Sequence, residues 1–310
     1  MDPITHLLSG SLLSRSGFGN RYGGVATFAL IIGAIFPDID VFLLIFVDRW
    51  TAYKHHRGLT HSLLGILIFS LILALLIYLF SDFKKYWHLV GFLSLGMLVH
   101  VTLDLFTSWG TQIFYPFTDK PYSLDFISII DFYFTLIILI FLLISGRLKK
   151  KGARFARIGF ITLGLYLSLC IACHFTGYMK FIHTISEIEE KPIRISVLPG
   201  FRSGPFGWRA VAETEYNFYR SKNFLIFSHH IPFKKYKKEP PNKYVEIASQ
   251  LKEVKIFLWF AKYPYIKTID YPNKHIVSIW DLRFGGPEGG SSFDIQITLN
   301  DEGKVLEINN

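Results

Sequence analysis

Asp38, Asp40, His56, His61, His100 and Asp104 are six metal-ligand-type side chains, set as three pairs on three apolar stretches of one chain. A charged side chain at bilayer depth costs roughly 2.5–3.5 kcal/mol on insertion scales. Three stretches that each carry a polar pair are most simply explained by a shared ion. His100 and Asp104 lie four apart in LVHVTLDLF, so a helix sets both on one face. In HHRGLTHS, His56 and His61 flank Arg57 and Gly58; the glycine is expected to make the tight turn that aims both imidazoles at one centre. The planar Arg57 fork suits a phosphate or carboxylate. In FPDID, Pro37 is expected to end a span and leave Asp38 and Asp40 as oxygen donors on an extended segment. Mixed His and Asp donors without a nearby cysteine favour zinc over manganese or iron.

Two further candidates depend on topology. His6 joins the set if the N-terminal segment inserts as a half-helix and returns to the same face. Asp131 is expected inside a fourth span, as a ligand or as a partner to a ligating histidine. Each histidine alone reads more simply as a packing residue, and it is the set that points to metal. The assigned roles are metal binding for His6, Asp38, Asp40, His56, His61, His100, Asp104 and Asp131. Asp38 or Asp104 would double as general base, and Arg57 would clamp a phosphoryl group.

These residues must be positioned by membrane spans. The chain has 310 residues, 51% hydrophobic and 18% charged, with a mean hydropathy of +0.33. Residues 63–80 contain no charge and are long enough to cross a hydrocarbon core of about 30 Å. Full spans are predicted at 23–37, 63–80, 88–106, 126–145 and 158–176, after an amphipathic half-helix over Ile4–Leu13. Residues 41–47 are apolar but too short to cross and are expected to lie at the interface or to pack on the bundle. The connector GRLKKKGARFAR, with Arg147, Lys149, Lys150, Lys151, Arg154 and Arg157, marks the cytoplasmic side. Counting outward from it, the residue 54–61 and 104–125 loops and everything after 176 lie outside. The candidate ligands then converge near one membrane surface.

MDPITH offers no removable signal sequence. The net charge of +9 is scattered over loops, which suits anionic lipid better than nucleic acid. Two cysteines exclude a disulfide framework. They form C-x-x-C-H at 170–174, a haem-attachment signature without any supporting feature, so two thiols packed between helices are expected.

From residue 178 the pattern changes to Pro, Gly, charge and alternation. WRAVAET, NFLIFSHH, HIVSIWDLRF and FDIQITL read as strands, and YVEIASQLKEVKIFLWFA as one helix. His229, His230 and the lysine-rich FKKYKKEPPNK read as a solvated loop or a headgroup contact, and GFGNRYGG and FGGPEGGSS as turns. The predicted organisation is an all-α polytopic membrane bundle over 1–177 and an extracytoplasmic α+β domain over 178–310.

Thr5-His6, Pro37-Asp38-x-Asp40, the H-R-G-x-T-H-S run of 56–62, and His100-x3-Asp104-x2-Thr107-x2-Gly110 occur in that order. This pattern resembles the YdjM-type membrane-bound metal-dependent hydrolases, also described as LexA-binding and inner-membrane-associated, over residues 1–145. The family is in turn similar to the zinc-dependent phospholipase C and P1 nuclease group. The resemblance implies two or three zinc ions, a metal-activated water that attacks phosphorus, and a bacterial or archaeal cytoplasmic membrane. An extracytoplasmic site would be out of reach of a cytoplasmic repressor.

The function expected is therefore metal-dependent phosphoester hydrolysis, with membrane lipid as the favoured substrate class. One alternative is a non-catalytic membrane protein with a structural metal and a partner-binding C-terminal domain. A metal or ion carrier is another, although ligands gathered at one surface argue against a through-path.

Overall fold

Asp2 starts the first helix: its side chain accepts the Thr5 N–H at 3.0 Å and the Thr5 hydroxyl at 2.6 Å, with Pro3 in the first turn. The computed structural model describes residues 1–148, 150–188, 190–200, 204–289 and 293–309. Lys149 of the basic connector and the last three residues of FGGPEGGSS lie outside the described residues.

Helix α1 (Pro3–Leu13) runs through a π-helical stretch (Ser14–Phe18) into α2 (Gly19–Ile35). The expected turn at SRSGFGNRYGG is made by Gly17 (φ +140°) and Gly23 (φ +77°), conformations that only glycine adopts freely. The chain folds back there, and α1 lies on the far end of α2, with Gly10 against Leu30, Ile31 and Ala34. A 3-10 turn (Phe36–Ile39) leads into α3 (Asp40–Leu44) and then α4 (Arg49–His55). Asp38 and Asp40 are therefore on helical turns rather than an extended segment, because Pro37 occupies the first turn, where its missing N–H costs nothing.

After a second 3-10 turn (Leu59–His61) come α5 (Leu63–Phe80), α6 (Tyr86–Leu105), α7 (Phe132–Arg147) and α8 (Gly152–Ser186). Among the described residues, four helical segments are long and apolar enough to cross a membrane: Pro3–Phe42, Leu63–Phe80, Tyr86–Leu105 and Gly152–Ser186. Helix α7 is shorter than its predicted span of 126–145. Asp131 caps it at Phe132, while Phe126 and Ile127 donate to the Phe106 carbonyl from an irregular segment. Its 16 residues reach about 24 Å, less than a bilayer core. Small residues let α2 and α6 approach closely: a Cβ on Gly33 would stand 2.4 Å from the Leu93 carbonyl oxygen, and one on Gly96 would stand 2.5 Å from that of Leu30.

The chain divides into two compact units, Met1–His174 with Pro199–Gly207, and Phe175–Leu198 with Trp208–Asn310. The second carries strands β1 (Arg194–Pro199), β2 (Gly207–Glu213), β3 (Asn217–Ser221), β4 (Phe224–Leu225) and β5 (Phe233–Lys237) in one sheet. Its spatial order is β1-β2-β3-β5, with β4 on β2. Helices α9 (Lys243–Gln250) and α10 (Lys252–Phe260) precede the antiparallel meander β6 (Pro264–Tyr271), β7 (Lys274–Asp281), β8 (Asp294–Leu299) and β9 (Val305–Asn309). Leu198, Val211, Phe218 and Tyr236 meet Tyr265, Trp280 and Leu282 in its core.

Three C-terminal expectations change. FKKYK is edge strand β5, paired with β3: Tyr236 is buried between outward lysines, the alternation of a half-buried strand. NFLIFSHH holds only the two-residue β4, and His229 and His230 are exposed. The single helix expected over 244–261 breaks at Leu251 (ψ +143°). At about 100° per residue, a straight helix would put Tyr244 and Ala248 nearly opposite Val254, Phe257 and Phe260. The break lets both apolar stripes be buried.

Candidate metal centre

Asp38, His61, His100 and Asp104 each offer one ligand atom, and these four atoms lie within 4.8 Å of one another. His61 Nε2 and His100 Nε2 are 3.2 Å apart. Asp38 Oδ1 is 3.4 Å from each, and Asp104 Oδ2 is 3.3 and 3.5 Å from them. Four donors at about 2.0–2.1 Å from a tetrahedral zinc stand about 3.3–3.4 Å apart, so these separations are the edges of such a site.

The protonation pattern agrees. His100 Nδ1 lies 2.7 Å from the Ala34 carbonyl oxygen, which can only accept, so that nitrogen carries the proton and Nε2 a lone pair. The Thr60 hydroxyl donates to Asp40 Oδ2 at 3.0 Å and accepts from His61 Nδ1 at 3.0 Å, which frees His61 Nε2 likewise. Burial pushes the His61 imidazole down to about 3. Two lone pairs thus face each other with carboxylate oxygens around them, an arrangement that a cation relieves. The residues present fit a divalent metal, and their outer partners are the kind that fix ligating imidazoles.

Asp40 and His56, expected as ligands, stand one layer out. Asp40 accepts from the Arg57 N–H at 3.0 Å and from Thr60, and pairs with His56 Nδ1 at 3.1 Å. With its oxygens occupied in this way, it orients His61 from behind. Thr60, the threonine of the H-R-G-x-T-H-S run, is the link, a role that spacing alone does not reveal. Asp131 is also not in the cluster: it caps α7 through the Phe134 N–H at 2.9 Å, and both its oxygens accept from the Tyr166 hydroxyl at 2.9 Å.

His6 lies beside the four, its ring stacked on His100 at 3.6 Å and its Nε2 at 3.4 Å from Asp104 Oδ1. Both of its nitrogens are buried without a hydrogen-bond partner among the described residues. Asp104 therefore turns Oδ2 toward His61 and His100, and Oδ1 toward His6, the Met1 ammonium and Arg57 Nη2 at 3.1 Å.

The left-handed residue of the HHRG turn is Arg57 (φ +61°), not Gly58. Gly58 is needed for space, since a Cβ there would meet the His55 carbonyl oxygen at 2.8 Å. A non-glycine residue held at positive φ stores strain of about 1–3 kcal/mol. Here the Arg57 backbone is pinned by Asp40 and by the Gln112 N–H, which donates to its carbonyl at 3.0 Å. The guanidinium donates from Nη1 to Thr107 at 3.3 Å, and Nε has no partner among the described residues. Burial lowers it to about 10, so it stays charged. Cys170 and Cys173 are buried, unpaired thiols in α8.

A family model described as YdjM inner membrane protein matches residues 1–176. The YfhP protein of Bacillus subtilis (strain 168), described as uncharacterized, is 28% identical over 235 residues, covering 71% of this chain and 67% of its own. No solved structure matches the chain.

Proposed function

This chain belongs to the YdjM inner membrane protein family, and on that premise we propose that its helical unit is a membrane-embedded, metal-dependent phosphoester hydrolase. The observation that carries the reading is the pair of imidazole Nε2 atoms 3.2 Å apart, flanked by two carboxylates. His61, His100 and Asp104 would hold zinc with Asp38 beside them, and His6 with Asp104 would hold a second ion. When bound, such ions supply Lewis acidity and lower the pKa of water toward about 7.

The chain's own residues do the rest. Asp38, at the open edge, is placed to accept a proton from the attacking water as its oxygen bonds phosphorus and the ester P–O bond breaks, and to return that proton to the leaving alkoxide. Arg57 would hold a phosphoryl oxygen with the N–H that has no partner among the described residues. In this reading the site opens on the extracytoplasmic side of the membrane, and a lipid phosphoester is the favoured substrate.

A second reading has its own support: three of the four side chains are fully buried, as in closed structural zinc sites. The C-terminal domain would then bind a partner or regulate. Elemental analysis of the detergent-purified protein, with hydrolysis of bis(p-nitrophenyl) phosphate and phospholipid, separates the two. Hydrolysis requires stoichiometric metal and loss of both metal and turnover in His100→Ala with helix content kept. Metal that His100→Ala removes from a protein that consumes no phosphoester establishes the structural role instead.

A further inference from the structure

Of the four clustered residues, Asp38 alone is appreciably accessible: its side chain is 22% exposed, whereas those of His61, His100 and Asp104 are at 0%. Whatever reaches the centre therefore passes Asp38. Directly after it, at α3 and the turn beyond, Val41, Phe42, Ile45, Phe46 and Val47 all stand exposed, Phe46 at 87%. Scattered exposed apolar residues need no explanation, but five within seven positions make a patch that wants cover. Helix α3 has five residues, far too few to cross a bilayer.

The patch continues the membrane-capable segment Pro3–Phe42 without a break. Its natural occupant is therefore the hydrocarbon that such a segment meets in a membrane. Helix α4 then changes character. The exposed Arg49 lies over the rings of Trp50 and Tyr53, at 5.9 and 5.3 Å, and its Nε donates to the Tyr53 hydroxyl at 3.1 Å. Aromatic rings beside a cation are the composition of a membrane–water boundary, and an exposed guanidinium there suits anionic headgroups.

We propose that α3 is a lip inserted into the bilayer edge, with Arg49 at headgroup level, so that the opening at Asp38 receives phospholipid laterally from the membrane rather than a solute from water. Insertion stands by itself; lateral supply rests on the hydrolase reading.

Spin labels at Phe42→Cys and Phe46→Cys, in a Cys170→Ala/Cys173→Ala background, report depth in phosphatidylglycerol–phosphatidylcholine vesicles. Oxygen collisions should exceed those of a nickel chelate at both positions, and the order should reverse at His55→Cys. The double variant Phe42→Ser/Phe46→Ser should lose about tenfold in turnover of vesicle phospholipid, as removing the partition of even one phenyl implies. It should cleave bis(p-nitrophenyl) phosphate like the parent. Chelate-accessible labels at 42 and 46 overturn insertion, and equal losses on both substrates overturn lateral supply. A protein that inserts yet turns over neither substrate overturns the hydrolase reading, and lateral supply with it, and leaves the lip standing.

Discussion

Replacing Gly33 by alanine perturbs the contact from which the centre is built. The added methyl would stand 2.4 Å from the Leu93 carbonyl oxygen and 3.1 Å from the Leu93 Cα, backbone atoms that cannot rotate away. Ordinary contact begins near 3.4 Å, so α2 and α6 must part by about 1 Å at this level, and such overpacking costs about 1–3 kcal/mol. The same two helical segments are joined by His100 Nδ1 to the Ala34 carbonyl at 2.7 Å and by His100 Nε2 to Asp38 Oδ1 at 3.4 Å. A ligand set tolerates about 0.5 Å of misplacement. Zinc affinity should therefore fall about 10–100-fold, the range for disturbing groups that orient ligands. Competition titration against a chromophoric chelator in detergent measures the affinity, and circular dichroism checks that the helices remain. Gly91→Ala is the control: it lies on the partner helix α6, with no atom within 4 Å of the added Cβ. It should bind as the parent does and gain up to about 1 kcal/mol of helix propensity. Parental affinity in Gly33→Ala would refute the reasoning, because the helices would then have parted without disturbing the ligands.

Arg57→Lys should keep its metal and lose about 10²–10³ in kcat/KM, the usual cost of one preorganised donor; loss of metal content in parallel would make Arg57 a scaffold residue instead. Asp131→Ala removes the α7 cap and strands the Tyr166 hydroxyl. It should lower stability by about 1–3 kcal/mol with metal content intact, and a drop in bound zinc would restore Asp131 as a ligand. In the C-terminal unit, His275 is held between Asp270 at 2.5 Å and Asp301 at 3.0 Å, and the hydrogen bond to Asp270 raises its pKa above the ordinary value. The stabilisation is complete below about pH 6.5, where the unfolded imidazole is also charged, and is lost as pH rises through the raised folded value. The Tm difference between parent and His275→Asn should shrink from pH 6 to pH 9, and a constant difference would contradict the clamp.

Much of the centre was legible because the helix period does the work: four-residue spacing sets His100 and Asp104 on one face wherever α6 goes. What spacing could not tell was which member of each remaining pair faces the cluster. Asp38 and Asp40 differ by two positions on a tight turn, and His56 and His61 by a turn whose positive φ fell on Arg57, so the outward members became supports. Asp131 was misplaced because an acid beside an apolar run reads equally as an intramembrane ligand or as the cap that begins the helix. The lysines of β5 hid a strand, since only the sheet partner reveals that Tyr236 alone turns inward. Gly33 and Gly96 were visible as letters, but their meaning lies in the neighbouring backbone.

The centre gathers its donors from points far apart along the chain; His61 and His100 alone are separated by 39 residues. The ion proposed there would close several long loops at once, and the entropy of closing each grows only slowly with its length. Maturation of the helical unit should then track the cell's supply of the metal.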